Sequence, residues 1–308
     1  MAGMAQAEPQ VITIRGGTLD DNQAAYGVLY RAVNDLARRI GADPIPGEVA
    51  TSYATRDHLF RHLADTAAEF WVAENAEGMV GYARSIEHEG FFELTELFVV
   101  PEHQSAGIGR RLLERAFPED RGEIRVIVAT TDVRALGTYA RAGMTARTVI
   151  ASLIGPPPAA DGPITRPLEV ERIAPGNSAL VELAALDRRI AGFDHGPTIP
   201  WLAETREALL FRRDGHAIGY AFVAKSGVGP IGAQDPDALP PILDEVLWRT
   251  MALGAETVSF EVPMSNGVAL RHLLGRGLTI DSFLTLLLSN REFGQMDRYV
   301  AFSPPIFM

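Results

Sequence analysis

The residues best suited to chemistry lie between positions 99 and 117, in the stretch VVPEHQSAGIGRRLLERAF. An apolar segment runs into Pro101, small residues follow, and an amphipathic helix begins near Gly107. The first amides of a helix have no internal partner, and the helix dipole attracts negative charge there. Gly107 and Gly109 carry no side chain, so an anion can reach the backbone N–H groups of Gln104, Ser105, Ala106, Gly107, Ile108, Gly109 and Arg110. We therefore predict an anion site, and Arg110 and Arg111 in the first helical turn favour phosphate.

Taken alone, a Gly-x-Gly pattern before a helix also fits an ordinary tight turn. The stretch is not a Walker loop, because the Gly-Lys-Ser/Thr ending is missing. It is not a dinucleotide fingerprint either, since the preceding strand belongs to a meander and does not open a βαβ unit. The helices and strands around the loop are therefore needed to distinguish an anion site from an ordinary turn.

Those elements alternate regularly along the first half of the chain. A strand at 11–15 precedes a helix at 18–41, with a capping-box pattern at Thr18 and Asp21 and a closing Gly41. Strands at 69–75, 79–87 and 91–100 form a meander that leads directly into the loop. A helix at 107–116, a strand at 123–130, a helix at 133–143 and a strand at 146–154 follow.

The second half of the chain repeats much of this order. Residues 208–225 resemble the hairpin at 69–87, residues 255–262 resemble the strand at 123–130, and residues 266–278 resemble the segment at 132–144. Self-similarity over half a chain indicates a duplicated domain. We predict an α/β (α+β) protein of two tandem domains, 1–155 and 164–308, joined by a Pro-rich linker at 156–163. Each domain would have a mixed, mostly antiparallel sheet flanked by helices.

The loop resembles the acetyl-CoA signature of the GNAT superfamily of N-acetyltransferases, Gln/Arg-x-x-Gly-x-Gly/Ala after a Val-x-Pro strand end. Gln104, Gly107 and Gly109 occupy its fixed positions. About thirty residues later that family has Asn-x-x-Ala-x-x-x-Tyr-x-x-x-Gly-Phe, and this chain has Asp132, Ala135, Tyr139, Gly143 and Met144. The resemblance covers the whole first half and, more loosely, the second. It departs from the family pattern at Asp132 and Met144, which puts side-chain contacts at Asp132 in doubt.

The resemblance implies acetyl-CoA as co-substrate. The pyrophosphate would lie on the loop amides, and the pantetheine arm would pair with the backbone of Phe98, Val99 and Val100. Asp132 would contribute to the same cofactor site. Tyr139 would lie near the thioester sulfur.

Tyr139 is accordingly the candidate acid for the departing thiolate, since a phenol and a thiol have similar pKa values. Glu96 is the first candidate for the base and Glu93 the second. Glu93 faces the other side of the strand unless a bulge re-aims it. Either could act directly or through water, or both could be solvated surface charges. The chain has no cysteine, and no Gly-x-Ser-x-Gly elbow is present. We therefore expect direct attack by the amine in a ternary complex.

The second half of the chain lacks both the loop motif and the tyrosine. Residues 227–243 hold no Gln-x-x-Gly-x-Gly pattern at the place of the loop, and Leu273 stands where Tyr139 would be expected. We expect a GNAT-like domain that binds no cofactor. His58 and His62 have a spacing that can bind zinc, but no third ligand is in view, and we expect no metal.

Composition limits the partners. The formal charge is −11 and no basic run occurs, so nucleic acid is not expected as a partner. No apolar run is long enough to span a membrane, no secretory signal is visible and cysteine is absent, so we expect a cytoplasmic monomer or homodimer. We predict transfer of an acetyl group to a primary amine of a small molecule. The alternatives are a non-catalytic acyl-CoA sensor and a protein lysine or N-terminal acetyltransferase.

Overall fold

The computed structural model describes residues 11–157, 168–225 and 227–302. The protein divides into two compact units. Unit 1 comprises Met1–Ile86 and Leu94–Asp120, and unit 2 comprises Glu87–Glu93 and Arg121–Met308. The domain boundaries predicted from the sequence stay a prediction, and residues 158–163 of the predicted linker lie outside the described residues.

Unit 1 is built on a sheet with the strand order β1-β2-β3-β4. β2 pairs antiparallel with both β1 and β3. The last residues of β3 and the first residues of β4 belong to unit 2. The elements are β1 (Thr13–Gly16), α1 (Asn22–Ile40), α2 (Val49–Ala54), α3 (Asp57–Asp65), β2 (Ala67–Asn75), β3 (Gly78–His88), β4 (Phe91–Val99) and α4 (Ile108–Ala116).

Local sequence signals set the limits of α1. A 3₁₀ turn at Leu19–Asp21 precedes the helix, and the Asp21 carboxylate accepts a hydrogen bond from the Thr18 backbone N–H at 2.8 Å. Gly41 ends α1 with φ +74°, a left-handed conformation that glycine adopts without strain. Apolar residues at helical spacing turn inward, and Tyr26 is completely buried.

Helix α4 packs on β2 and carries the predicted loop at its N-terminus. Its buried residues recur at helical spacing and form one apolar stripe, namely Ile108, Leu112, Leu113 and Ala116. Pro118 comes directly after the C-cap residue Phe117, as expected for a residue that cannot continue a helix. The loop is therefore held between the end of β4 and a helix anchored on the sheet.

Unit 2 contains a group of strands in the order β5-β13-β6-β11, with β12 beside β6. These are β5 (Ile124–Thr130), β6 (Thr145–Gly155), β11 (Val258–Pro263), β12 (Thr279–Ile280) and β13 (Thr285–Ser289). Strand β13 lies between β5 and β6 and pairs antiparallel with both. Strands from the two sequence halves therefore share one sheet.

A five-stranded sheet with the order β14-β10-β9-β8-β7 completes unit 2. Its strands are β7 (Glu169–Ile173), β8 (Glu207–Arg213), β9 (His216–Ala224), β10 (Gly227–Ala233) and β14 (Tyr299–Val300). The helices of unit 2 are α5 (Val133–Arg141), α6 (Ala179–Ala191), α7 (Thr198–Thr205), α8 (Leu239–Ala252) and α9 (Gly267–Gly275). A large apolar core joins α8 to residues of β8, β9, β10 and β11.

The predicted fold class is confirmed: the protein is a mixed α/β protein with mostly antiparallel sheets flanked by helices. One segment differs in detail from the sequence analysis. Residues 227–233, which stand at the place of the loop in the second half, form β10, and Pro240 and Pro241 lie in the first turn of α8, where proline is tolerated. No helix within the described residues is both long and apolar enough to cross a membrane.

Candidate active site

The loop between β4 and α4 has an open, left-handed backbone. Ser105 has φ +65° and Gly107 has φ +80°. Ser105, Ala106 and Gly107 are exposed, and a Cβ added at Gly107 would meet nothing within 4 Å. A non-glycine residue with positive φ is uncommon and marks a conformation that the surrounding structure has to hold in place. The loop is therefore neither collapsed nor filled by its own side chains.

The loop amides are available to a ligand. The N–H of Gln104 donates to the Pro101 carbonyl at 3.3 Å, and the N–H of Arg111 closes the first helical bond to Gly107 at 3.1 Å. Between these two, none of the N–H groups of residues 105–110 donates to another described residue. A run of unpaired amides at the N-terminus of a helix is the arrangement that binds phosphate in proteins. The structure therefore offers a site that fits the predicted diphosphate.

The two arginines beside the loop differ in their surroundings. Arg110 is exposed, and its guanidinium lies 3.6 Å from the Glu114 carboxylate across one helical turn. Arg111 donates to the backbone carbonyl of Ile12 at a distance of 3.5 Å. Since an exposed pair at 3.6 Å is weak, Arg110 can turn to a ligand on the loop at little cost.

The backbone N–H and carbonyl groups of successive residues of β4 point alternately toward β3 and away from it. The N–H of Val100 donates to the Val80 carbonyl on β3 at 2.9 Å, and the Phe98 carbonyl faces Gly81 on the same strand. Val99 must then direct its N–H and carbonyl to the opposite edge. The Gln104 side chain donates to the Val99 carbonyl at 2.9 Å. Of the three residues predicted to pair with pantetheine, Val99 is thus the one that faces away from β3.

Glu96 lies in a buried network of unit 1. Its carboxylate accepts a hydrogen bond from the Tyr82 hydroxyl at 2.7 Å and lies 3.3 Å from the Arg84 guanidinium. Arg84 is fully buried, donates to Asn22 at 2.8 Å and stacks over Phe70, 4.1 Å from the ring centroid. This network neutralises the carboxylate and fixes its position. The role of Glu96 as base stays a prediction.

Glu93 belongs to unit 2 and is completely buried. Its negative charge is one of the groups that raise the pKa of Tyr299, after burial and after Asp187. Glu93 is therefore a buried carboxylate within electrostatic range of other titratable groups of unit 2, and not a solvated surface charge. Whether it acts as a base stays a prediction.

Helix α5 of unit 2 carries the other two predicted residues. Tyr139 is 5% exposed, and burial followed by the charge of Asp132 raises the pKa of its phenol. The phenol is consequently protonated throughout the neutral range, as an acid requires. Asp132 caps the helix: its carboxylate accepts from the Arg134 backbone N–H at 3.0 Å and pairs with the Arg134 guanidinium at 2.7 Å. Asp132, which stands where the family has asparagine, therefore stabilises the N-terminus of α5.

Two groups of polar residues were not found from the sequence. Arg84 pairs with Glu96 from the neighbouring strand, and the only local signal was an arginine that directly follows an apolar run in β3. Asp187 and His195 of unit 2 form a buried pair with 2.6 Å between carboxylate oxygen and Nδ1. Their spacing of eight residues matches no motif.

One group of possible metal ligands lies in unit 2. A nitrogen of His88 and carboxylate oxygens of Glu89 and Asp194 lie within 4.8 Å of one another. Arg188 pairs with Glu89 at 2.8 Å and with Asp194 at 3.1 Å. Since the arginine already neutralises both carboxylates, this group has a structural explanation without a metal.

Unit 1 is thus an α/β unit in which a loop with unpaired amides joins the end of β4 to the N-terminus of α4. Residues 66–144 match the family model described as the acetyltransferase (GNAT) domain. This segment, which contains the loop, α4, β5, α5 and Tyr139, is a GNAT acetyltransferase domain. The predicted resemblance is confirmed.

Solved structures agree with this fold along almost the whole chain. A protein of Pyrococcus horikoshii described as a candidate acetyltransferase is 16% identical, with a TM-score of 0.71 over 97% of this chain and 96% of that chain. A GCN5-related N-acetyltransferase of Sphaerobacter thermophilus is 15% identical, with a TM-score of 0.62 over 90% of this chain and 95% of that chain. A tandem GNAT protein from the clavulanic acid biosynthesis pathway is 15% identical, with a TM-score of 0.58 over 91% of this chain and 98% of that chain. No curated protein matches the sequence. At these identities the likenesses show the fold alone.

Proposed function

We propose that the protein is an acetyl-CoA-dependent N-acetyltransferase that acetylates a primary amine of a small molecule by direct attack in a ternary complex. The observation that carries the proposal is the run of unpaired amides at residues 105–110, at the N-terminus of α4 and in a GNAT acetyltransferase domain. Acetyl-CoA would supply an activated acetyl group as a thioester. The residues of the chain would bind it, orient it and hold the protons that the reaction moves.

The loop amides and Arg110 would hold the diphosphate, since both supply hydrogen-bond donors and positive charge. The Val99 backbone, which points away from β3, would hold the pantetheine arm along the end of β4. Gln104 would keep that edge and the loop in register through its bond to the Val99 carbonyl.

The family resemblance assigns the acid to Tyr139. Its buried phenol would hold one proton on the hydroxyl oxygen and give it to the departing thiolate. The raised pKa keeps the proton on the phenol at neutral pH and also makes the phenol a weaker acid than an unperturbed tyrosine. A positioned acid of this kind is worth roughly 10²–10⁴ in rate.

The test is thiol release from acetyl-CoA in the presence of a panel of small primary amines, with coenzyme A binding measured separately by calorimetry. We expect the wild-type protein to bind coenzyme A and to release thiol with at least one amine. Tyr139→Phe should bind coenzyme A unchanged and lose roughly 10²-fold or more in kcat.

The kinetic pattern and the amine panel separate the alternatives. Intersecting initial-rate lines for the two substrates are expected, and parallel lines would contradict direct attack. Coenzyme A binding without turnover on any amine would favour an acyl-CoA sensor, and turnover on peptide amines alone would favour a protein acetyltransferase.

A further inference from the structure

A second polar site lies inside unit 2, where α6 covers one face of the five-stranded sheet. Asp187 of α6 accepts hydrogen bonds from His195 Nδ1, at 2.6 Å, and from the Tyr220 hydroxyl. The side chains of Asp187 and His195 are only 1% and 2% exposed. A carboxylate can only accept here, so this network assigns the proton to Nδ1. In the neutral form of the ring, Nε2 is then the hydrogen-bond acceptor.

The strand register brings a second tyrosine to the same face. Tyr220 on β9 lies opposite Gly232 on β10, and Gly232 lies opposite Tyr299 on β14. Directly opposed residues of antiparallel strands share a face of the sheet. The Tyr220 ring lies across Gly232, where an added Cβ would be 2.5 Å from its Cε1. Tyr299 therefore belongs to the same buried layer as Tyr220 and Asp187.

Two polar atoms of this layer are left over. His195 Nε2 and the Tyr299 hydroxyl are buried and have no hydrogen-bond partner among the described residues. Buried polar atoms are almost always paired in native proteins, because an unpaired one loses its hydration without compensation. Two of them in one layer indicate that the site is built to contact something other than the protein.

The surroundings of these two atoms favour a cation. The charges of Asp187 and Glu93 raise the pKa of Tyr299, after burial. Neither arginine nor lysine pairs with Asp187 among the described residues. A buried carboxylate whose partners are only a histidine and a tyrosine leaves the site with a negative potential.

Aromatic rings form the wall of the site. The Phe193 ring lies 4.4 Å from the His195 ring and stacks on Phe91 at 3.8 Å. Glu93 lies two residues after Phe91 on β4 and thus on the same side of that strand. Aromatic faces attract ammonium groups, so the wall adds to the preference for a cation. His195 lies in the segment between α6 and α7, in which Gly192 and Pro197 are exposed.

We propose that this site binds a primary ammonium group, which donates hydrogen bonds to His195 Nε2 and to the Tyr299 hydroxyl oxygen. The inference rests on the proposed function, in which this amine is the acetyl acceptor.

The experiment uses the full chain without acetyl-CoA and benzylamine hydrochloride as the probe. Calorimetry should give saturable binding of benzylamine and no comparable binding of benzyl alcohol. In ¹⁵N-labelled protein, the Nε2 resonance of His195 should shift when benzylamine is added, because this nitrogen gains a hydrogen-bond donor. Because coenzyme A binding is measured separately, failure of the amine site and failure of the proposed function can be told apart.

Tyr299→Phe is the decisive variant, since it removes one hydroxyl that has no described partner and so should not destabilise the fold. We expect it to raise the Kd for benzylamine by about tenfold or more, the usual loss for a hydrogen bond to a charged group. The matched control is Thr285→Val, which removes another buried hydroxyl without a described partner, on β13. The control should bind benzylamine as the wild type does.

Three results would overturn the proposal. These are the absence of saturable benzylamine binding, equal affinity for benzyl alcohol, and an unchanged Kd in Tyr299→Phe. In the last case the two leftover atoms would contact only water.

Discussion

Gly107, at the start of α4, gives the sharpest test of the phosphate site. Its φ of +80° is a conformation that alanine adopts only with strain, of about 1–2 kcal/mol. A Cβ at this position would meet no atom within 4 Å, so Gly107→Ala destabilises the native loop only through backbone strain. The substitution therefore probes the conformation of the loop without adding a steric clash.

We expect the exposed loop to relax to a negative φ in Gly107→Ala. The peptide planes on either side then turn, and the N–H groups of Gly107 and Ile108 leave the site. A hydrogen bond to a charged group contributes about 1.5–3 kcal/mol, so losing one raises the Kd for coenzyme A roughly 10- to 150-fold. If the loop kept its conformation instead, the free energy of unfolding would fall by the strain and the Kd would stay unchanged, which would contradict this expectation.

The matched control is Gly176→Ala in unit 2. Gly176 is also exposed, has φ +74° and would gain a Cβ with no neighbour within 4 Å. Calorimetry with coenzyme A and urea unfolding are measured for both variants. Our reasoning about the loop would be refuted if both variants bound coenzyme A with the same Kd, or if Gly176→Ala weakened binding as much as Gly107→Ala.

Two further predictions concern buried carboxylates. Glu96→Gln leaves the buried Arg84 without its ion-pair partner, so the free energy of unfolding in urea should fall by about 3 kcal/mol or more. Glu102→Gln breaks an exposed pair with Arg31 and should change the free energy of unfolding by less than about 1 kcal/mol. Equal losses in the two variants would contradict a buried ion pair between Glu96 and Arg84. Burial raises the pKa of Glu261 from 4.5 to about 7, so the folded state favours the protonated acid. This stabilisation is present below pH 4.5 and is lost as the pH rises through 7, a decrease of about 3 kcal/mol that should be absent in Glu261→Gln. Urea unfolding at pH 5 and pH 8 measures it, and identical pH profiles of the two proteins would exclude Glu261 as the source.

The local structure of the loop was predictable because its signals are local. A strand end, two glycines and an amphipathic helix within nineteen residues fix the direction of the amides, whatever the rest of the chain does. The left-handed Ser105 could not be predicted, since only the surrounding contacts hold a non-glycine residue in that conformation. The sequence likewise gave three backbone positions for pantetheine, and the bond from Val100 to Val80 is what distinguishes Val99 from its neighbours.

The positions of the carboxylates depended on contacts between distant residues. Glu93 and Glu96 are three residues apart on one strand, yet Glu96 pairs with Arg84 in unit 1, whereas Glu93 is a buried residue of unit 2. The sequence could place them on different faces of the strand, because side chains alternate with a period of two. It could not name the partner of Glu96, since that depends on the register between neighbouring strands.

Most helices and strands, the glycine-containing loop before α4 and the family resemblance could be read from the sequence, because periodicity, capping residues and glycine positions act over a few neighbouring residues. The place of β13 between β5 and β6 was visible only in the three-dimensional structure. The same holds for the buried layer formed by Asp187, His195, Tyr220 and Tyr299. These contacts join residues that are far apart in the chain. These contacts depend on strand register and on which faces of the sheets are buried, and no local sequence pattern predicts either feature.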